Sequence, residues 1–168
     1  MSRPAALFVA FATLQALGAS AGLADARGDC FSKGGDAAIR ACTEAIALNP
    51  RDAVSYVNRA YEYLQKSDFT RSFADYGRAI EIDPARWDAH QGRAWVLLKS
   101  GRPAQGLADA EAALKLKPDS AQALDTRGHI LEALGRREEA IADFRRALAI
   151  EPRLSGSRDG LKRLGATP

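Results

Sequence analysis

The 168-residue chain has few of the residues from which catalytic sites are usually built. It contains two histidines, His90 and His129, two cysteines and a single methionine. No Ser-His-Asp or Cys-His set can be proposed from the spacing of these residues, and no glycine-rich phosphate loop is present. We therefore expect a protein that is not an enzyme, with no catalytic residue, no metal and no cofactor.

The chain also lacks a strong excess of either charge. Its 24 lysines and arginines face 21 aspartates and glutamates, and the net charge is +3. The densest basic stretch, residues 136–146, is interrupted by two glutamates and an aspartate. Such mixed charge is typical of a solvated helix face. A nucleic-acid partner is therefore not expected.

One apolar segment stands at the start of the chain. An uncharged run, 5–17, follows Arg3 and precedes Ala19-Ser20-Ala21. The run is shorter than the roughly 20 residues that a membrane-spanning helix needs, and small residues at 19 and 21 resemble a cleavage site. The pattern predicts a secretory signal over 1–21, an exported chain (periplasmic or secreted) that starts near Gly22, and no stable membrane span. Cleavage a few residues after Ala21 stays open.

One fixed period organises the rest of the chain. Prolines recur at a 34-residue spacing, and so do alanines of the helical segments: Pro50, Pro84, Pro118, Pro152; Ala45, Ala79, Ala113, Ala147. Within one period the apolar spacing predicts two helices, 87–98 and 104–116, separated by a glycine and a proline. A period of roughly 20 to 50 residues is typical of stacked helical or strand repeats.

These residues resemble the tetratricopeptide repeat family. The third unit carries the motif as Leu124, Gly128, Leu131, Ala140, Phe144, Ala147 and Pro152, and the other units repeat it in phase. The resemblance implies an all-α fold, a right-handed α-solenoid of about three and a half helix hairpins with a C-terminal capping helix. An exported protein of bacterial type is the expected setting.

The units follow from the period. After the signal, we expect 22–34 to be a leader too short and too rich in glycine and aspartate to form a helix. A half repeat over 35–52 and full repeats over 53–86, 87–120 and 121–154 come next. A capping helix near 157–164 then closes the chain within 155–168, with Leu161 and Leu164 inward and Arg158, Lys162 and Arg163 in water.

Two kinds of cross-link are predicted between helices. In every full unit, an arginine of the first helix and an aspartate of the second recur at the same separation, which predicts three intra-unit ion pairs: Arg59–Asp75, Arg93–Asp109, Arg127–Asp143. Cys30 and Cys42 are the only cysteines, and export favours a disulfide between them. A metal pair or a redox site is the weaker reading, because the two lack Cys-x-x-Cys spacing.

The resemblance places the binding surface on the first helices of successive units. The predicted partner-binding groove contains the following residues: Val57, Asn58, Tyr61, Gln65, Asp88, Gln91, Trp95, Lys99, Gln122, Asp125, His129, Glu132. Tyr61, Trp95 and His129 stand one period apart, so we expect them to line the groove, although they could instead fill the seam between helices. The expected partner is another protein or a peptide segment.

Alternatives to a peptide-binding groove remain. The chain could be a stabilising subunit that binds an envelope enzyme or assembly through its convex face. A metal-dependent enzyme is a remote reading, based on Asp125, His129 and Glu132 at one helical face. The family's clamp for a terminal carboxylate is not expected, because the corresponding positions are uncharged: Val57, Tyr61, Gly92, Gln122, Thr126. The partner, the pathway and self-association are not predicted.

Overall fold

The structure is a computed structural model that describes residues 22–167. Across that range it contains nine helices and no strand. α1 covers residues 22–32, and the others are α2 Gly35–Leu48, α3 Ala53–Gln65, α4 Phe69–Ile82, α5 Trp87–Lys99, α6 Pro103–Leu116, α7 Ala121–Ala133, α8 Arg137–Ile150 and α9 Ser155–Arg163. The seven predicted repeat helices, α2 to α8, and the capping helix are confirmed. The predicted signal lies outside the described residues.

The turn between the two helices of each full unit contains a residue with positive φ, and these residues are one repeat period apart. Gly101 and Gly135 have φ of 76° and 74°, and Ser67 adopts φ of 59° at the equivalent place. This left-handed region suits glycine, which has no Cβ to clash with the backbone. Each turn reverses the chain, so the two helices of a unit pack as an antiparallel pair.

Large rings pack against glycines where one unit meets the next. Tyr76 of α4 lies against Gly92 of α5, where a Cβ would stand 2.3 Å from the ring. Phe144 of α8 is held in the same way between Gly128 and Gly160, at 2.6 and 2.5 Å. Both rings are buried. A helix approaches a ring this closely only where it presents no side chain.

The predicted ion pairs are present in all three full units. The guanidinium Nε lies 2.7, 2.7 and 2.6 Å from the carboxylate in Arg59–Asp75, Arg93–Asp109 and Arg127–Asp143. Each arginine donates a second bond from Nη2, so the contact is bidentate. These bonds raise the pKa of each arginine above its already high value. The pairs tie the two helices of a unit together at their half-buried edge.

The N-terminal end differs from the prediction. Residues 22–32 are helical, so the expectation that 22–34 cannot form a helix is wrong. The cause is a buried contact: Ala26 is buried, stands one period before the buried Ala60, and occupies the small-residue position of a first helix. The predicted disulfide is present, with Cys30 of α1 bonded to Cys42 of α2 at 2.07 Å. A link across so short a loop contributes about 3 kcal/mol.

The C-terminal end is closed by α9, which packs on α7 and α8. Leu161 is fully buried and Leu164 is partly buried, as expected. Arg163 does not simply face water: its guanidinium donates two bonds of 2.7 Å to the Glu132 carboxylate of α7. Ser157 adds a bond of 2.6 Å to Asp125. The cap is therefore attached through polar bonds as well as through its leucines.

Alanine substitutions at Gly92, where a Cβ would meet the Tyr76 ring, and at Gly77 should change the free energy of unfolding in opposite directions. Gly92→Ala places a methyl group inside the buried Tyr76 ring and is expected to lower the free energy of unfolding by about 1–3 kcal/mol. Gly77→Ala, whose new Cβ meets only the end of Arg93 at 3.7 Å, should raise it by up to about 1 kcal/mol. Urea unfolding of both variants measures the difference. Equal or greater stability of Gly92→Ala would contradict the packing.

The Arg163–Glu132 bond predicts a pH-dependent loss of stability. Because Arg163 donates to it, the pKa of Glu132 lies below its ordinary value of 4.5. The bond therefore stabilises the folded chain fully above pH 4.5 and is lost as the pH falls through the lowered pKa. Glu132→Gln should cost at most about 1 kcal/mol at pH 7, since solvent screens the half-exposed Arg163.

Urea titrations from pH 7 to pH 3 should show this difference between wild type and Glu132→Gln shrinking toward zero. Glu44→Gln, at an exposed position on α2, is the control and should match wild type throughout. A cost of Glu132→Gln that persists unchanged at pH 3 would rule out the ion pair as its source.

Candidate functional site

A groove follows the first helices of the units. α3 contacts α5, α5 contacts α7, and α7 contacts α9, so these helices lie side by side. Four residues, each one period after the last, form a line along them: Tyr61, Trp95, His129, Arg163. The fourth comes from the capping helix, which therefore extends the surface of the repeats.

The aromatic part of this line is in direct contact. The Trp95 and His129 rings meet edge to face, with centroids 5.6 Å apart. Behind them, the buried Phe144 ring lies 4.9 Å from that of His129. Arg163 Nη2 stands 3.1 Å from His129 Nδ1. Trp95 is partly buried, while Tyr61 is 51% exposed, so an incoming ligand can reach both rings.

A cavity of about 260 Å³, the Tyr61–Trp95 cavity, lies between α3, α5 and α7. Its lining is mostly aromatic, amide and hydroxyl-bearing: Tyr61, Leu64, Gln65, Tyr76, Gln91, Gly92, Trp95, Gln122, Asp125, Thr126. Because Gly92 has no side chain, the Tyr76 ring of the second helix behind it borders the cavity. Burial raises the pKa of the Tyr76 phenol, so the ring presents a neutral hydroxyl.

Asp125 is the charged residue of this lining. Its carboxylate accepts a bond of 2.6 Å from Ser157 and lies 3.7 Å from His129 Nε2. Two of the amides nearby each donate one N–H to the protein: Gln91 donates to Thr126 at 2.7 Å, and Gln122 donates to Glu151 at 3.2 Å. The cavity therefore holds one carboxylate together with amide oxygens that can accept further bonds.

A second cavity of about 360 Å³, the Arg163 cavity, begins at Trp95 and runs towards the capping helix. Its lining carries charge of both signs: Trp95, Leu98, Lys99, His129, Glu132, Ala133, Arg163. The Lys99 ammonium lies 5.8 Å from the centre of the Trp95 ring. Trp95 thus borders two neighbouring cavities of different charge.

Most of the predicted groove residues line one of these cavities, and three line neither. Val57 packs on the apolar cluster that holds Tyr76. Asn58 donates towards Cys30 Sγ at 3.9 Å, and Asp88 is bound by Arg86 at 3.0 Å. These three positions serve packing, the region around the disulfide and a local ion pair.

Among the lining residues outside the predicted groove, Tyr76 and Arg163 are those that do not lie on the first helices of the repeats. Tyr76 belongs to a second helix, and the signal for its place in the lining is the glycine at position 92 of the next helix. Arg163 stands one period after His129, so the repeat places it in the same line. The prediction treated the capping helix as outside the repeats and missed it.

The arrangement of Asp125, His129 and Glu132 does not converge on one point. Asp125 lies next to Nε2 of the imidazole, at 3.7 Å, and Glu132 lies next to Nδ1, at 3.4 Å. The two carboxylates thus flank opposite sides of the ring, and Glu132 is engaged by Arg163. Within residues 22–167, no three His, Cys, Asp or Glu side chains cluster in a way that could hold a metal ion. None of the described helices has the length and apolar character needed to cross a membrane.

Comparison with known proteins agrees with the fold. Models of the tetratricopeptide repeat match residues 53–86 and 92–155. MamA (41-end) from Desulfovibrio magneticus RS-1 superposes with a TM-score of 0.74 at 17% identity, over 88% of this chain and 83% of that one. The TPR domain of Arabidopsis OM64 gives 0.64 at 26% identity, over 67% and 93%.

A peptide complex is also among the similar structures. The second TPR domain of human RPAP3, in complex with the HSP70 peptide SGPTIEEVD, gives a TM-score of 0.63 at 25% identity, over 68% of this chain and 96% of that one. The matched repeat models, the fixed period of the sequence and the stacked hairpins agree with one another. This chain belongs to the tetratricopeptide repeat family.

Proposed function

We propose that this chain is a non-catalytic adaptor that binds a peptide segment or a helix of another exported or envelope protein in its groove. The observation that carries the proposal is Trp95, a partly buried ring at the middle of the groove that borders both cavities. A central aromatic residue ringed by polar groups is the usual composition of a binding hot spot. The peptide held by the RPAP3 domain supports the same use of the fold.

The partner should differ in chemistry from that acidic peptide. The five positions that correspond to the family's carboxylate clamp hold no lysine or arginine here. The Tyr61–Trp95 cavity adds the Asp125 carboxylate, which would repel a terminal carboxylate. Burying an anion without cationic donors is strongly unfavourable. The proposed ligand is therefore a peptide segment of another kind.

The groove proposal predicts that Trp95→Ala weakens partner binding about 30-fold, since truncating a hot-spot ring costs about 2 kcal/mol or more. The melting temperature should stay close to wild type, because Trp95 is not part of a buried apolar cluster. Partners captured from the exported fraction of cells with wild-type bait are purified, and their affinity for each variant is measured by calorimetry.

The matched control is Trp87→Ala, which removes the chain's other tryptophan. Trp87 lies at the start of α5, beside Lys117 and away from both cavities, so partner affinity should be unchanged. A partner that binds Trp95→Ala as tightly as wild type would reject the groove and favour the convex face. Unfolding of Trp95→Ala with intact binding per folded molecule would place Trp95 in the core instead.

Export is part of the proposal. Cleavage after Ala21 would keep all of residues 22–32, and therefore Cys30, in the mature chain. An oxidising compartment would preserve the Cys30–Cys42 bond. We expect the full chain, expressed in a bacterium with a periplasm, to be recovered there with its first residue at or shortly after Gly22.

Mass spectrometry of the mature protein should give a mass two hydrogens below that of the reduced chain. Phe8→Arg, which places a charge in the apolar run, is the control and should keep the chain inside the cell with the leader attached. A wild-type chain that keeps its leader, or whose two thiols are free, would contradict export.

A further inference from the structure

We propose that the Tyr61–Trp95 cavity receives the side chain of a lysine or arginine carried by the bound peptide. This inference rests on the proposed function and specifies its ligand. The first reason is the pair of accessible rings: Tyr61 comes from α3 and Trp95 from the next unit, and both border the same space. The faces of aromatic rings carry negative potential and attract ammonium and guanidinium groups.

The second reason is the charge of the lining. Asp125 has no lysine or arginine within 4.0 Å among the described residues; its partners are the Ser157 hydroxyl and the His129 ring. The other carboxylates near the groove are already paired, Asp88 with Arg86 and Glu132 with Arg163. Within residues 22–167, Asp125 is thus the groove carboxylate that lacks a strong cation. A ligand cation would supply one.

The third reason is the orientation of the amides. Gln91 and Gln122 both direct their NH₂ groups at protein oxygens, at Thr126 and Glu151. Their carbonyl oxygens make no hydrogen bond within the described part of the chain, so they are available as acceptors. A guanidinium carries five donors and no acceptor, and an ammonium carries three donors. The free amide oxygens and the Asp125 carboxylate are acceptors that such a group would use.

The size of the cavity agrees with a side chain. Its volume of about 260 Å³ lies below the roughly 300–1,000 Å³ typical of small-molecule sites. The Arg163 cavity beyond Trp95 differs in charge, because Lys99 and Arg163 line it and Lys99 already lies over the indole. A basic side chain is therefore directed to the Tyr61 side of Trp95.

The test uses random dodecapeptides displayed on phage and selected on the mature protein. Selected peptides should share a lysine or arginine at one position. Replacing that residue in a synthetic peptide by citrulline (for arginine) or norleucine (for lysine) keeps the shape and removes the charge. The affinity for the wild-type protein should then fall about tenfold or more.

The protein side of the test is Asp125→Asn, which can still accept the Ser157 bond. This variant should lower the affinity for the basic peptide about tenfold. Replacing the basic residue of the peptide by its neutral analogue should then cost less affinity in the variant than in the wild type. Asp88→Asn, outside both cavities, is the matched control and should bind like wild type. Fluorescence of Trp95 in a Trp87→Phe background reports binding at the groove directly.

The outcomes separate the two proposals. Peptides that lose affinity in Trp95→Ala but bind equally well with the neutral analogue would overturn the basic-residue inference and leave the groove adaptor standing. Selected peptides whose binding is unaffected by Trp95→Ala, or the absence of any binding peptide, would count against the groove itself. Equal loss of affinity in Asp125→Asn and Asp88→Asn would exclude Asp125 as the specific acceptor.

Discussion

A repeat unit of this chain can bury its apolar side only against the units next to it. All other features depend on how closely adjacent helices approach at those seams. The chain meets this constraint by matching volumes: Tyr76 is opposed by Gly92, and Phe144 by Gly128 and Gly160. At the equivalent positions of the middle unit, Ala110 replaces the ring and Thr126 replaces the glycine. A large ring therefore faces a glycine, and the small Ala110 corresponds to the larger Thr126, because a close-packed seam tolerates neither two large groups nor a void.

The same constraint creates the candidate site. A glycine at position 92 makes room for the Tyr76 ring, and it also removes the side chain that would otherwise cover the groove at that point. The cavity therefore lies at a closely packed seam, and the buried Tyr76 ring forms part of its lining. Thr126, the substitute for glycine one unit later, accepts the Gln91 bond and helps to orient the amide. Packing between the units and the candidate binding surface thus use the same positions of the period.

The period of the sequence was sufficient to predict seven repeat helices, the three Arg–Asp pairs and the line through Tyr61, Trp95 and His129. The disulfide followed from the cysteine count and the leader. The helix over 22–32 was missed. The prediction relied on Gly28 and Asp29, which are poor helix formers, and did not use the position of Ala26 in the repeat period. Burial of Ala26 and the bond from Cys30 to α2 reverse that preference. Tyr76 was missed because its place in the lining depends on an absent side chain in another helix.

The two ends of the solenoid are closed by different chemistry. α1 is attached covalently and places Arg27 at the same phase as Tyr61, where it pairs with Asp52 at 3.3 Å. α9 is attached by Leu161 and by the Arg163–Glu132 bond. The repeat period places Arg27, Tyr61, Trp95, His129 and Arg163 at the same phase, with an arginine at each end and rings between them. Because both terminal arginines are paired with carboxylates of the chain, the charges that the described groove leaves for a ligand are those of Asp125 and Lys99, on opposite sides of Trp95. A ligand that spanned the tryptophan would meet these two charges in a fixed order, and that order would give the groove a direction.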